Sequence, residues 1–367
     1  MTNFDFFIDG SIILIYLTLI LIIGIWLRKY ISNVDHFLVA NRGVDVYLGI
    51  ASLAATEFGI ATCMANAELG FKYGLKGIIP GIALGGSMLI VGATGFCIKP
   101  LRNMAVITIP ELLEKKFGKN IRWASGLVIV IGGLLNMGLF LRQAGSFLSI
   151  TIGIDQGYLE LLMTLILIFV GIYTVIGGMI SVIVTDYIQF VLMCFGFVTI
   201  TGILIYQFGW FQIIKGSSNY LGPESLYLNV NYNYGLDRLM LDILVAFGSV
   251  LTWQTMISRV LAAKDSTIAK KIYMATSPYM LMRFVIPVFL GISALYYFGP
   301  TTFLGGQEIL AMPSMIAQLI PVGLIGIVIA SMLAADMSTN SSYLIAWSSV
   351  IYNDILEPIH KNKLSPK

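Results

Sequence analysis

The chain has 367 residues, of which 57% are hydrophobic and 11% are charged, and its formal net charge at pH 7 is +3. Soluble domains carry about 25% charged residues, so this composition excludes a soluble domain, a disordered chain and a nucleic-acid-binding protein. A mean hydropathy of +0.88 predicts instead a polytopic membrane protein embedded in the lipid bilayer. Since each membrane-spanning helix needs about 20 apolar residues, the chain has room for about nine.

Nine long apolar runs predict nine helical spans. They cover approximately residues 11–28, 45–66, 77–98, 123–150, 157–177, 180–207, 239–262, 275–298 and 317–351. A transmembrane β-barrel would instead show short segments of alternating hydrophobicity. We therefore predict one transmembrane domain over residues 1–351, followed by a cytoplasmic tail over residues 352–367.

Basic residues indicate the orientation of the spans. With the N-terminus outside, sixteen of the 22 Lys and Arg residues, Arg259 among them, fall on the cytoplasmic side; four fall outside, and Arg142 and Arg283 fall within spans. This asymmetry follows the positive-inside rule. We expect a multi-pass protein of a cell membrane of the bacterial inner-membrane type, with an outer N-terminus and a cytoplasmic C-terminus. The first ten residues carry no basic residue, so the first run is expected to be a retained span and not a signal peptide.

Two spans carry polar and small residues near their centres. The span 45–66 contains Glu57 beside Gly59, and the span 239–262 contains the polar run 248–255. Such centres indicate either a helix break that lines a cavity or a contact between packed helices. Glu57 favours a break, because broken helices hold the substrate and the coupling ion in inverted-repeat transporters.

Three acidic residues, Glu57, Asp186 and Asp336, lie within predicted spans. A carboxylate at the centre of a span costs about 2.5–3.5 kcal/mol on insertion scales, so each is a candidate functional residue. Asp186 has a second interpretation as an interfacial or helix-capping carboxylate. Arg142 either extends to the membrane interface or faces the cavity, where it would pair with a carboxylate of the substrate.

The span 317–351 carries a stripe of hydroxyl residues. Helical spacing places Ser338, Thr339 and Ser342 on one face with Ala335. Such hydroxyls often bond the carbonyls of their own helix or join two helices. Hydroxyl oxygens beside exposed backbone carbonyls also suit a hard monovalent cation, so the stripe is a candidate sodium site.

Four segments together resemble the sodium:solute symporter family, which includes sodium/proline, sodium/sialic-acid and sodium/glucose transporters. They are residues 52–59, residues 108–118, Gly177-Gly178 with residues 185–189, and residues 334–339, and residues 259–264 also look like the family. The resemblance implies an all-α polytopic membrane protein with Na⁺ as its coupling ion. Its core would be a LeuT-like five-plus-five inverted repeat with one extra N-terminal helix.

The resemblance also implies two groups of sodium ligands. Those of the first site are the carbonyls of Ala55, Phe58 and Ala335 and the hydroxyls of Ser338 and Thr339. Glu57 falls where sodium/proline transporters carry an aspartate that is important for sodium use. Some members have a second sodium site, and the residues at its positions here are Asp186, Ser341 and Ser342.

The leading hypothesis is Na⁺-coupled import of a small organic solute by alternating access. The family places the substrate near the membrane midplane, between the spans 45–66 and 239–262. The candidate contacts are Thr56, Thr62, Arg142, Gln143, Phe247, Trp253 and Gln254. Arg142 favours a carboxylate-bearing or zwitterionic substrate, either amino-acid-like or an organic acid, over a neutral sugar.

The number of spans departs from the family pattern. The family core with its leading helix has eleven spans, whereas nine are predicted here, so the last two core helices are missing. The chain is then a fragment of a longer chain, half of an assembly that a further polypeptide completes, or a non-functional truncated remnant. The alternative function is a transporter-like sensor or regulatory membrane module. An enzyme is not expected, because the sequence contains no HExxH, GxSxG or paired metal-ligand motif.

Overall fold

The structure, a computed structural model, describes residues 2–30, 34–228, 230, 234–356 and 358. Within these residues the regular elements are helices, apart from one isolated bridge between Val44 and Ala263. The predicted all-α fold class is therefore confirmed. Three lysines that were assigned above to the cytoplasmic side, Lys361, Lys363 and Lys367, lie outside the described residues.

Fifteen α-helices are described in chain order. They are Ile8–Trp26 (α1), Val34–Val39 (α2), Val46–Thr56 (α3), Ile60–Tyr73 (α4), Ile79–Thr94 (α5), Ile98–Asn103 (α6), Ile109–Phe117 (α7), Lys119–Ile152 (α8), Leu159–Phe208 (α9), Trp210–Leu221 (α10), Leu236–Thr252 (α11), Gln254–Ala262 (α12), Ser266–Phe298 (α13), Ala311–Leu319 (α14) and Leu324–Val350 (α15). A π-helical turn, Ile351–Leu356, continues α15. Short 3₁₀ turns occupy Leu27–Tyr30, Ala40–Arg42, Gly74–Ile78, Gln156–Tyr158, Pro223–Leu226 and Glu308–Leu310.

Length and composition identify six described helical segments that are able to cross a membrane, and the bent pair of α11 and α12 makes a seventh. The segment Gln156–Phe208 has 53 residues, which is about 80 Å of helix at 1.5 Å per residue. The hydrocarbon core is only about 30 Å thick, and the chain turns at Gly178, where φ is 51° and ψ is −158°. The segment Ile60–Thr94 divides in the same way at Gly74, which has φ of +61°. With both segments divided and the short α4 joined to α3, the described helices are compatible with nine crossings, and the number of spans stays a prediction.

Both spans that were predicted to be broken are broken. Helix α3 ends at Thr56 and α4 begins at Ile60, so these two helices form one span with a three-residue break. Helices α11 and α12 meet at Trp253, which has extended backbone, and their axes differ by 41°. Because a helix end leaves backbone N–H and C=O groups without helical partners, each break places polar backbone inside the helical domain.

The last predicted span, 317–351, differs from the structure at both ends. Residues 317–319 belong to α14, which ends where Ile320, the residue before Pro321, has extended backbone. Helix α15 begins only at Leu324, after Gly323 with φ of +83°. Residues 352–356, which were predicted as part of the tail, continue the helix as a π turn. Asp354 is buried there and accepts hydrogen bonds from Thr108 at 2.9 Å and from Arg122 at 2.8 Å.

Helix α15 lies at the centre of the fold. Of its most apolar 18-residue window, 89% is buried, and side chains of α1, α8 and α9 pack around it. Its first turn is held by Asp9 of α1, whose Oδ1 accepts hydrogen bonds from the N–H groups of Gly323 at 2.7 Å and Gly326 at 2.9 Å. Helices α4 and α13 approach so closely that a Cβ on Gly291 would lie 1.8 Å from the carbonyl oxygen of Ala67. These contacts fix the relative positions of α1 and α15 and of α4 and α13.

Candidate functional site

A cavity of about 190 Å³ touches both span breaks. Three of the predicted substrate contacts, Thr56, Thr62 and Trp253, line it. The other lining residues are Glu57, Leu84, Asn136, Phe140, Ser249, Met256, Arg283 and Tyr343. The two breaks therefore meet at one space inside the helical domain, between the two spans where the family resemblance places the substrate.

Opposite charges face each other in this cavity. Arg283 Nη1 on α13 lies 3.3 Å from Oε2 of Glu57, and Thr255 donates a hydrogen bond to Glu57 Oε1 at 3.0 Å. The side chains of Arg283 and Glu57 are 12% and 8% exposed, so the surrounding helices shield the pair from bulk water. Arg283 Nε is buried and has no hydrogen-bond partner in the described part of the chain. Arg283 therefore lines the cavity, and its guanidinium group has a buried donor that no described residue uses.

Aromatic rings form one wall of the cavity. Trp253, at the second break, lies edge-on to Tyr343 with ring centroids 6.0 Å apart, and Phe140 lies 5.6 Å from Tyr343. Asn136 donates a hydrogen bond to the Tyr343 hydroxyl at 3.2 Å. An apolar wall with a few placed polar groups is typical of a binding site for a small organic molecule.

The other four predicted substrate contacts lie outside the lining of this cavity. Arg142 is exposed and Gln143 is half-buried on α8. Phe247 packs against an apolar cluster that includes the lining residues Leu84 and Met256, but it is not itself a lining residue. Gln254 is buried, and its Oε1 accepts a hydrogen bond from the Ile109 N–H at 3.3 Å. The arginine at the cavity is thus Arg283, which the sequence marked as an intramembrane charge without a role.

Residues of the first predicted sodium site converge where α3 ends against α15. The Thr339 hydroxyl donates to the carbonyl oxygens of Thr56 at 2.9 Å and Ala335 at 3.1 Å. A Cβ on Gly59 would lie 2.9 Å from that hydroxyl, so only glycine fits at this point of the break. The carbonyl of Ala55 also lies at the end of α3, where it accepts a hydrogen bond from the Phe58 N–H at 3.2 Å. Neutral carbonyl and hydroxyl oxygens are the donor set that a monovalent hard cation requires.

Two of the residues assigned to that site make other contacts in this conformation. The carboxylate of Glu57 pairs with Arg283 at the cavity. The Ser338 hydroxyl donates to Asp186 Oδ1 at 2.5 Å. The structure thus brings Thr339 and the carbonyl of Ala335 against the end of α3, and directs the side chains of Glu57 and Ser338 to neighbouring charged groups.

Arg259 lies among the residues of the predicted second sodium site. Its Nη2 is 3.2 Å from Asp186 Oδ2 and donates to Thr56 Oγ1 at 2.7 Å and to the Ser342 hydroxyl. Asp186 Oδ2 also accepts from Ser52 at 2.5 Å. Because a guanidinium cation already binds these oxygens, a second sodium ion requires Arg259 to move.

The burial of Arg259 bears on the count of basic residues made from the sequence. Arg259 was assigned to the cytoplasmic side as a basic residue following a span, and its side chain is 1% exposed and paired inside the helical domain, so it is not an exposed interfacial charge. The remaining member of the second site, Ser341, donates to the Ser338 carbonyl at 3.0 Å. Asp336, the third intramembrane acid, is buried and accepts a hydrogen bond from Asn340 at 2.7 Å.

Residues 37–366 match the sodium:solute symporter family. The chain belongs to this family. It is 26% identical to sodium/glucose cotransporter 1 of Oryctolagus cuniculus over 401 residues, which cover 96% of this chain and 59% of that protein. It is also 26% identical to high-affinity choline transporter 1 of Drosophila melanogaster, over 97% of this chain and 58% of that protein. The chain therefore spans about three fifths of the length of these symporter-family relatives.

The fold matches that of a solved symporter. A Na⁺-coupled sialic acid symporter in a substrate-bound, outward-open state aligns with a TM-score of 0.88 and 22% sequence identity. The alignment covers 99% of this chain and 76% of that chain. The predicted LeuT-like transporter fold is thereby confirmed for the helices that the chain contains.

Proposed function

We propose that this symporter-family chain takes part in Na⁺-coupled import of a small organic solute by alternating access. One residue carries the proposal. The side chain of Thr56 lines the cavity, and its backbone carbonyl accepts the hydrogen bond of Thr339 in the first sodium site. Ion and solute would therefore bind on two sides of the same span break, so that each affects the affinity of the other.

The sodium ion would be held by neutral oxygens. The proposed ligands are the carbonyls of Ala55, Phe58 and Ala335 and the hydroxyls of Ser338 and Thr339. One Na⁺ moving down a potential of 100 mV supplies about 2.3 kcal/mol, and a second ion at Asp186, Ser341 and Ser342 would double this only after Arg259 has moved. We therefore propose the first site as the coupling site.

The solute is proposed to bear a carboxylate, either as an organic acid or as a zwitterion. Arg283 supports this proposal because its side chain lines the cavity and its buried Nε is without a partner among the described residues. A guanidinium group binds a carboxylate with two parallel hydrogen bonds. Arg283 thus takes the role that the sequence suggested for Arg142.

Transport in proteoliposomes tests the proposal. An inward Na⁺ gradient should drive accumulation of at least one member of a labelled panel of amino acids, carboxylates and sugars, and an equal K⁺ gradient should not. Arg283→Ala should slow uptake by about tenfold or more, because a charged hydrogen bond contributes about 1.5–3 kcal/mol. Arg142→Ala is the matched control, since it removes an exposed arginine from α8, and it should transport at the unmodified rate.

Two results would contradict the proposal. Equal uptake in Na⁺ and K⁺ gradients would exclude sodium coupling. Binding of a panel member without accumulation would favour a sensor or regulatory module.

The localisation stays a prediction of the sequence. This applies to the outer N-terminus, the cytoplasmic C-terminus, the bacterial inner membrane and a further polypeptide that completes the core. Labelling of introduced surface cysteines from each side of the membrane would test the orientation.

A further inference from the structure

The structure points to a zwitterion as the solute, with its carboxylate bound to Arg283 and its ammonium group beside Glu57. A net anion and a neutral sugar are thereby disfavoured. This inference narrows the proposed function and rests on it. It comes from the charge balance of the cavity, the free hydrogen-bonding positions of its two charged residues and the aromatic wall.

Charge balance is the first of these observations. Among the described residues that line the cavity, Glu57 and Arg283 are the charged ones, so the lining has no net charge. The nearby charges of Asp186 and Arg259 pair with each other at 3.2 Å. A solute with a net charge would therefore leave one unbalanced charge in a shielded site, at an effective cost of several kcal/mol per ion. A zwitterion keeps the total at zero and offers each lining charge an opposite one.

Free hydrogen-bonding positions are the second observation. Arg283 uses Nη1 toward Glu57, while its buried Nε has no partner in the described residues. A solute carboxylate in the cavity would therefore meet an unused donor once the guanidinium group turns the buried Nε toward it. Glu57 accepts one hydrogen bond on each oxygen, and each carboxylate oxygen has two acceptor positions, so it can also accept from an ammonium group.

The aromatic wall is the third observation. Phe140, Trp253 and Tyr343 line the same small cavity as Glu57. Aromatic rings attract ammonium groups through their electron-rich faces, and their apolar surface accommodates the carbon skeleton between the two charges. The volume of about 190 Å³ is below the roughly 300 Å³ at which pockets for drug-sized ligands begin. Both features fit a solute of the size of a small amino acid.

Small solutes that differ in charge, two of them close in shape to L-proline, give a direct test. In Na⁺-driven proteoliposomes we expect uptake of a zwitterion from a panel of L-proline, L-alanine and glycine betaine. Cyclopentanecarboxylate lacks the amine of proline, pyrrolidine lacks its carboxylate, and D-galactose has no charge. Each of these three should enter about tenfold or more slowly than the best zwitterion, because the two single-charge probes lose one charged contact and galactose loses both.

Charge-removing variants separate the two contacts. Glu57→Gln should raise the uptake of cyclopentanecarboxylate relative to the zwitterion by about tenfold, and Arg283→Gln should do the same for pyrrolidine, since each leaves one unopposed lining charge. The double variant removes both charges and should favour neither single-charge probe, which keeps the test decisive if a single variant does not fold. Arg142→Gln is the control and should leave all ratios unchanged.

The outcomes separate this inference from the proposed function. Na⁺-driven accumulation confined to galactose or to the anion would overturn the zwitterion and leave the symport proposal intact. An unchanged ratio of anion to zwitterion uptake in Glu57→Gln would likewise overturn the zwitterion and leave the symport proposal intact. No Na⁺-driven accumulation of any probe would overturn both.

Discussion

Removing the carboxylate of Asp186 is expected to destabilise the protein strongly. The side chains of Asp186 and Arg259 are 0% and 1% exposed, and their charged atoms lie 3.2 Å apart. Asp186→Asn therefore leaves a buried guanidinium cation without its counter-charge. Removal of one partner of such a buried pair lowers the free energy of unfolding by about 3–5 kcal/mol. Loss of transport in this variant would then reflect lost folding and would not identify Asp186 as a sodium ligand.

A double variant distinguishes the two explanations. Asp186→Asn combined with Arg259→Gln removes both charges and leaves no unpaired ion, so it should lose less stability than the sum of the two single variants. The expected interaction energy is about 1–3 kcal/mol, which is the range for residues in direct contact. A double variant that folds and still transports in a Na⁺-dependent way would show that the first sodium site suffices for coupling.

Denaturant unfolding in bicelles, followed by tryptophan fluorescence, measures these free energies. Asp237→Asn serves as the matched control because Asp237 is exposed, and it should change stability by no more than about 0.5 kcal/mol. If the losses of the two single variants simply add in the double variant, Asp186 and Arg259 do not stabilise each other, and the reasoning from the buried pair is refuted.

Three further substitutions test the sodium site and the packing. Thr339→Val removes one hydroxyl ligand and should raise the Na⁺ concentration for half-maximal uptake about tenfold; an unchanged Na⁺ titration would exclude this ligand. Asp9→Asn weakens the cap of α15 and should lower the free energy of unfolding by about 1–3 kcal/mol, and an unchanged midpoint would show that the cap is unimportant. Gly291→Ala places a methyl group 1.8 Å from the Ala67 carbonyl oxygen and should destabilise by at least about 1–3 kcal/mol. Gly171→Ala is the control and should not destabilise the protein, because a Cβ at that position has no heavy atom within 4 Å. Equal effects of these two alanine variants would contradict the close approach of α4 and α13.

The spans and their breaks were predictable because both leave a mark along the sequence. Continuous apolar runs indicate which segments cross the membrane. Glu57 near Gly59 indicates a position where the helix stops. The start of α15 left a mark of another kind. Residues 317–322 are nearly as apolar as the helix that follows, so hydropathy does not record the interruption, which is marked by Pro321 and Gly323.

The role of each intramembrane charge was less predictable, because a role depends on the partner of the charge. Asn136 and Phe140 line the cavity from α8, and the helical repeat turns Arg142 to another face of that helix. Gln143 returns to the lining face but lies about 10 Å farther along the axis than Asn136, beyond the cavity. The partner of Arg283 is Glu57, 226 positions away, and no local pattern connects them. The sequence alone places Arg142 and Arg283 within predicted spans, whereas only the packed helices show that Arg283, and not Arg142, lines the cavity.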